Sequence, residues 1–355
     1  MIRSIVTADS LALTPDIGRT YVRPMIPVGN SHQRQRPGGP GQEGRPGPTI
    51  VRMDTAMTER AALVALLRRP RVNWSETALD IQDNGSAKAV LDRTVGHSDT
   101  LFPDDSTTDL IDAAATEIVG WQADGIGVHA FFDATYPAQL LGIREMPPLL
   151  FSRGDLRLHD RAVAVVGSRR ASADGLRIAR AVATTLAGRG VTVVSGLASG
   201  IDTAAHSAAL EAGGRTVAVI GTGIRRYYPP DNRRLQDHIA DVGLLISQFW
   251  PDAPPSRQSF PMRNAVMSGY AVATVVVEAG ETSGARIQAR LALQHGRPVV
   301  LTSQVMRCDW ARAFAENPGV YVVHGTAQLL EAVDDILSYQ PTEAGLENFP
   351  DFALR

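Results

Sequence analysis

The chain has 355 residues, 44% of them hydrophobic, which is enough to build one large core with a smaller one beside it and excludes a wholly disordered protein. Its 35 Lys and Arg against 37 Asp and Glu leave a formal net charge of -2, so any nucleic-acid surface must be a local basic patch. A single cysteine, Cys308, excludes an internal disulfide framework and a cysteine-cluster zinc site, and fits a reducing, cytoplasmic setting without a membrane span.

Residues 1–56 contain "HQRQRPGGPGQEGRPGP", rich in Pro, Gly, Gln and Arg with no apolar period, and read as a disordered extension. Met57 opens "MTERAALVALLRRP" and looks like a natural first residue, with Thr58 as the expected helix cap. Residues 57–130 read as a small helical domain, its helices broken at Asn84-Gly85 and Pro103. The following stretch, "FFDATYPAQLLGIREMPPLLFSRGDL", carries Pro137, Pro147 and Pro148 and reads as a bridge into the main domain, assigned to 131–340, with a short tail at 341–355.

Within the main domain apolar runs of buried-strand type recur at 163–166, 191–194, 216–220, 244–246, 274–277 and 298–301, with amphipathic stretches between most of them; a last strand near 321–323 and a helix over 326–337 follow. The expected fold class is α/β: a Rossmann-like, mainly parallel sheet with helices on both faces, preceded by the small helical domain.

In such sheets ligands bind beyond the carboxyl ends of the strands. The turns there are Gly167-Ser168-Arg169-Arg170, then Ser195-Gly196 opening "SGLASGID", then Gly221-Thr222-Gly223 followed by Arg225 and Arg226. Small residues let backbone N–H groups approach an anion and the arginines add charge-assisted contacts, so the chemistry reads as phosphate binding. A dinucleotide site is disfavoured, because Arg226 stands where the third glycine of G-x-G-x-x-G belongs. A fourth cluster, "SFPMRN", sets Phe260 beside Arg263 and Asn264, an aromatic and a cation of the kind that stack bases and meet phosphates of single-stranded nucleic acid; Arg263 is expected at a helix start, facing solvent.

Taken together, "YPAQL", "GSR", "SGLASGIDTAAH", "GTG…YYPPDNRRL", "FPMRN" and "VVVEAGETSGARIQARLALQHGRPV" resemble the DNA-processing protein A, or Smf, family over about residues 136–337. The resemblance implies a Rossmann-like domain behind a sterile-alpha-motif-like helical domain, binding of single-stranded DNA, transfer of that DNA to a RecA-type recombinase in DNA uptake or recombination, a homodimer, no cofactor and no catalysis. Carried over to this sequence it assigns the phosphate pocket to Ser168, Arg169, Ser195, Gly196, Arg263 and Asn264, with Phe260 near a base, while Asp202 and His206 are expected to hold the turn. The chain departs from the family pattern at Ala265, where a second Arg is usual, and at Gln248, Arg286, Gln288 and Ser303-Gln304; Arg286 is the candidate to supply the missing charge. Two other functions use the same strand ends: a nucleotide N-glycosidase resembling the phosphoribohydrolases, with Glu278 and Glu281 as acid–base candidates, and a sensor of a small nucleotide signal.

Overall fold

The computed structural model describes residues 54–96 and 106–338. The expected extension, the 341–355 tail and Pro103 lie outside the described residues. Among the described residues four helices come first: α1 (Thr55–Arg68), α2 (Trp74–Asn84), α3 (Ala87–Gly96) and α4 (Thr107–Ala123). Asp54, not Thr58, caps α1, its carboxylate accepting from Met57 N at 2.7 Å, while Thr58 lies one turn inside with its hydroxyl on Asp54 O. Gly85 ends α2 at φ +72°, as the Asn84-Gly85 break predicts. The start of α3 is capped from another helix: Glu59 of α1 accepts from Ala87 N (2.6 Å) and Ser86 Oγ (2.8 Å). That cap joins residues 28 positions apart and leaves no local signal in the sequence.

Two strands follow where the sequence suggested a helical domain's end and a proline-rich bridge: β1 (Gly127–Ala130) and β2 (Leu149–Gly154), with the short α5 (Ala138–Leu141) between them. They are four and six residues long, too short to carry a readable period beside prolines. The alternating part then runs β3 (Ala162–Gly167), α6 (Ala173–Gly188), β4 (Thr192–Ser195), α7 (Ile201–Glu211), β5 (Thr216–Val219), α8 (Arg233–Val242), β6 (Leu244–Ser247), α9 (Ser259–Tyr270), β7 (Ala273–Glu278), α10 (Gly284–Gln294), β8 (Val299–Thr302), α11 (Asp309–Ala315), β9 (Val320–Val323) and α12 (Thr326–Ser338).

The nine strands of the described residues form one sheet in the order β1-β2-β6-β5-β4-β3-β7-β8-β9. β2 pairs antiparallel with β1 and with β6, and every other pairing is parallel. The fold is thus the expected α/β Rossmann-like one, extended at one edge by two strands. Alternate residues of β3 divide the core: Val163 and Val165 face α6, α7 and α12, whereas Ala164 and Val166 face the layer that holds α9 and α10. The four N-terminal helices share this second core instead of closing one of their own. Their junction is aromatic: Trp250, after β6, meets Trp74 edge-on at 5.4 Å and Trp121 at 5.9 Å, and the Arg68 guanidinium lies 3.9 Å from its ring centroid. Topologically the decisive feature is β3, because the chain extends to one side of it through β4, β5 and β6 and returns to the other through β7, β8 and β9.

Candidate functional site

The turns after β3, β4 and β5 converge with the start of α9 on a small cavity of about 90 Å³. Gly196, Ala198 and Ser199 supply one wall, Gly221, Tyr228 and Pro229 another, and Arg169, Phe260 and Arg263 complete it. At its mouth the exposed Arg169 places its guanidinium carbon 5.1 Å from the Phe260 centroid, and the ring of Tyr228, a residue 39% exposed, lies 5.5 Å from that of Phe260. Among the described residues no carboxylate pairs with Arg169 or Arg170. Gly221 is small because Phe260 lies against it: a Cβ there would stand 2.9 Å from the ring.

Arg263 is not the solvent-facing arm that the sequence suggested. It sits one turn inside α9, is 5% exposed, and donates through Nη1 to the carbonyls of Gly196 and Val219 (2.8 Å) and through Nε to Asn264 Oδ1 (3.1 Å). Burial pulls its pKa below the usual guanidinium range, and the Asp202 carboxylate opposes that shift. Arg263 is therefore the floor of the cavity, a cation whose donors hold two strand-end loops together. Asn264, 8% exposed, serves Arg263. Ala265, where the resemblance implies a second Arg, is 2% exposed and faces the interior. Arg286 does not replace that charge at this cavity; it lines a separate groove with Arg290 and Trp310.

The turn after β4 is held from beneath. Asp202 accepts from Gly196 N (3.2 Å) and Ala198 N (3.3 Å), Thr203 Oγ1 donates to Ala198 O (2.8 Å), and Asn232 Nδ2 donates to Leu197 O (2.8 Å). His206, wholly buried, shares a 2.7 Å hydrogen bond with Thr216 Oγ1. That hydroxyl spends its proton on Val193 O, which makes His206 Nδ1 the donor. Burial, reinforced by Arg263, lowers the His206 pKa to about 3, and burial lowers that of His129 on β1 to about 4.

These shifts fix the sign of an acid response. Between the unfolded value near 6.5 and the folded values, the unfolded chain binds protons that the folded imidazoles refuse, so stability present above about pH 6.5 is lost as pH falls, at about 1.4 kcal/mol per pH unit for each proton. Asp202 acts in the opposite direction: burial raises its pKa, so folding retains its proton and blunts the loss. The melting temperature is expected to fall between pH 7 and 4.5, and His129→Gln is expected to show a shallower acid limb. A melting temperature that stays level over that range would contradict this assignment.

Several other predicted site residues are engaged elsewhere. Ser195 is fully buried and donates to Val165 O (2.6 Å), tying β4 to β3. Gly167 is small because Ile201 and the Glu278 backbone close over it, and Ser168 Oγ accepts from Arg170 N within its own turn. Gly223 lies against the backbone of Trp250 and Pro251 and donates to Ala253 O. Arg225 bridges Asp124, at the end of α4, and Asp252, while Arg226 donates to Asp252 O; both are spent in bracing the loop after β6. Ala198, Ser199, Tyr228 and Pro229 line the cavity and were missed as site residues, although an aromatic pair directly after a strand-end glycine turn was a usable signal for Tyr228.

The family model described as DNA recombination-mediator protein A matches residues 127–340, more than half of the chain. This chain belongs to that family. The DNA processing protein DprA of Streptococcus pneumoniae is 43% identical over 171 residues, 48% of this chain and 60% of that protein, and the DprA of Bacillus subtilis is 36% identical over 184 residues, 51% and 62%. This chain therefore spans about three-fifths of the length of those two relatives. Among solved structures, DprA from Streptococcus pneumoniae aligns with a TM-score of 0.57 at 28% identity, over 78% of this chain and 95% of that one. DprA from Helicobacter pylori aligns with a TM-score of 0.53 over 60% and 96%, and its 24% identity speaks for the fold. The family match begins at β1, so β1 and β2 belong to the family's domain and not to the preceding helices.

Proposed function

We propose that this recombination-mediator family member binds single-stranded DNA across the mouth of the Arg169–Phe260–Tyr228 cavity, without catalysing a reaction on it. The observation that carries this reading is the exposed guanidinium of Arg169 set over an aromatic ring, with a second ring exposed beside it. Bases stack on such rings regardless of sequence, and guanidinium groups meet the phosphates between them. The Helicobacter pylori DprA that shares this fold is a single-stranded-DNA binder. Delivery of the strand to a RecA-type recombinase and pairing of two copies complete the proposal, in the setting of DNA recombination or uptake.

Two observations favour a strand over a small nucleotide. The cavity, about 90 Å³, is small beside the roughly 300–1,000 Å³ of sites that enclose a ligand, and suits one group of a longer chain. The carboxylates that an N-glycosidase would need hold backbone instead: Glu278 accepts from Ser172 N, and Glu281 from Asp309 N at 2.8 Å.

Titration with an oligo-dT of the full chain tests the reading. Phe260→Ala is expected to weaken binding by about 5- to 150-fold, the value of one stacked base, with the protein still folded. Arg169→Ala is expected to weaken it and to flatten the salt dependence by roughly 0.7 of a counterion. Equal affinity for duplex, or affinity that does not change with salt, sinks the proposal.

A further inference from the structure

The groove that Arg286 lines, about 230 Å³ in volume, is built from two helix faces. One wall is cationic: Arg286 and Arg290 stand one turn apart on the same face of α10. The other is aromatic: Trp310 and Phe314 stand one turn apart on α11, with ring centroids 6.0 Å from each other. The Trp310 indole N–H donates to Gly280 O at 3.2 Å, directly after β7, which sets the groove at the carboxyl edge of the sheet. Trp310 belongs to the same core layer as the inward faces of α9 and α10, so the groove and the Arg169–Phe260–Tyr228 cavity share one edge and one face of the sheet. Gln288 leaves α10 on its opposite side, with its amide oriented to donate to Asn264 O at 3.0 Å, and ties the groove's cationic wall to the floor of the cavity.

Two arginines at this spacing repel each other and weaken the helix that carries them. Both are exposed, and among the described residues neither guanidinium is met by a carboxylate or lies over a ring; Arg286 reaches the Glu281 carbonyl at 3.5 Å. The carboxylates of the neighbouring turns are engaged with other groups, Glu281 with Asp309 N and Asp309 with Arg312. The pair is thus an uncompensated cost to the fold, of the kind that an anionic ligand offsets.

We infer that this groove is a second contact for the same single strand: Arg286 and Arg290 hold its phosphates beside the aromatic wall, after the strand has crossed the N-terminus of α10 from the cavity. The inference rests on the function proposed above. Along the sheet edge the step from the ends of β4 and β5 to those of β7 and β8 is three strand spacings, roughly 15 Å at about 4.8 Å each. About four to five nucleotides cover that distance at about 3.4 Å apiece. The crossing is open, since a Cβ at Gly280 or Gly284 would meet nothing within 4 Å, and the end of α10 carries the positive pole of its dipole. An acidic peptide could use the same cations, but a groove in line with the cavity on one edge and one face suits a chain of regularly repeated phosphates.

The test compares the full chain with its Arg286→Gln/Arg290→Gln double variant, using oligo-dT of about 4 nucleotides, too short to fill both places, and of about 15, which spans them. The double variant is expected to melt no lower than the parent, because it removes a repulsion from an exposed helix face. It is expected to bind the short oligomer as the parent does and the long one about tenfold more weakly, the value of two exposed ionic contacts. Its salt dependence for the long oligomer is expected to flatten by roughly 1.4 counterions, two phosphates at about 0.7 each. The inference alone is overturned if the parent binds both oligomers and the double variant binds the long one equally well, which would leave the groove to another ligand, or if the variant loses both oligomers to the same extent. A parent that binds neither oligomer overturns the proposed function, and this inference with it.

Discussion

Arg263→Ala is expected to cost about 3–5 kcal/mol of stability, because it removes the positive charge that offsets the burial of the Asp202 carboxylate and strips donors from the buried carbonyls of Gly196 and Val219. For a domain of this size each kcal/mol moves the melting temperature by about 2–4 °C, so the loss is roughly 6–20 °C. Arg263→Lys is expected to recover little: one ammonium group cannot reproduce a planar fork that serves two carbonyls and the Asn264 amide oxygen. The reading from sequence alone makes the opposite forecast, a folded protein that has lost affinity for DNA. Calorimetric melting of the two variants separates the cases. A melting temperature within a few degrees of the parent, together with lost oligo-dT binding, would return Arg263 to the solvent-facing role and remove the buried-floor account.

The second large effect is expected at Gly200, which opens α7 at φ +83°, a region that side chains rarely enter. A Cβ there would also meet the carbonyl oxygens of Ser168 and Arg169, the latter at 2.8 Å, and these are backbone atoms that cannot swing aside. Strain and overpacking each cost about 1–3 kcal/mol, so Gly200→Ala is expected to lose roughly 2–6 kcal/mol. The turn after β3 lies directly against this position, and Ile201 N donates to Ser168 O at 3.2 Å. Displacing that turn moves Arg169 off Phe260, so any folded fraction is expected to bind oligo-dT more weakly as well. Ser199→Ala, next door and exposed, is the control for a substitution in the same loop without the conformational demand. If Gly200→Ala melts like Ser199→Ala, the geometry described for this turn is wrong.

The difference between these forecasts and those from sequence has a physical origin that particular residues make plain. Periodicity in a single sequence reports which positions face a core, and it located the parallel strands at 163–166, 191–194 and 216–220 to within a residue or two of β3, β4 and β5. It does not report depth along a polar cluster. Arg169 and Arg263 look equally basic in sequence, yet one is exposed over a ring and the other is 5% exposed beneath a turn, because α9 enters with Arg263 on the face turned toward the sheet. Ser195 and Ser199 are four residues apart in one small-residue motif; Ser195 is still within β4 and bonds to β3, whereas Ser199 has left the strand and lines the cavity. Gly167, Gly196, Gly221 and Gly223 were read as phosphate-approaching turns, and the structure puts only Gly196 and Gly221 on the cavity.

What the sequence determined by itself was the fold class, the run of alternating strands and helices, the edge of the sheet at which function would lie, and the family, since long motifs in fixed order encode local structure and its spacing directly. What tertiary structure decided was the ownership of each charge. The pairing of Arg225 with Asp124, of Glu59 with the start of α3, and of Glu278 with Ser172 joins residues 101, 28 and 106 positions apart, and no local pattern specifies which of several nearby carboxylates a chain brings to a given cation or helix end. A charged group buried without a partner is too costly to persist, so the fold settles these pairings globally, and the cations left unpaired at the strand ends after that settlement are the ones available for a ligand.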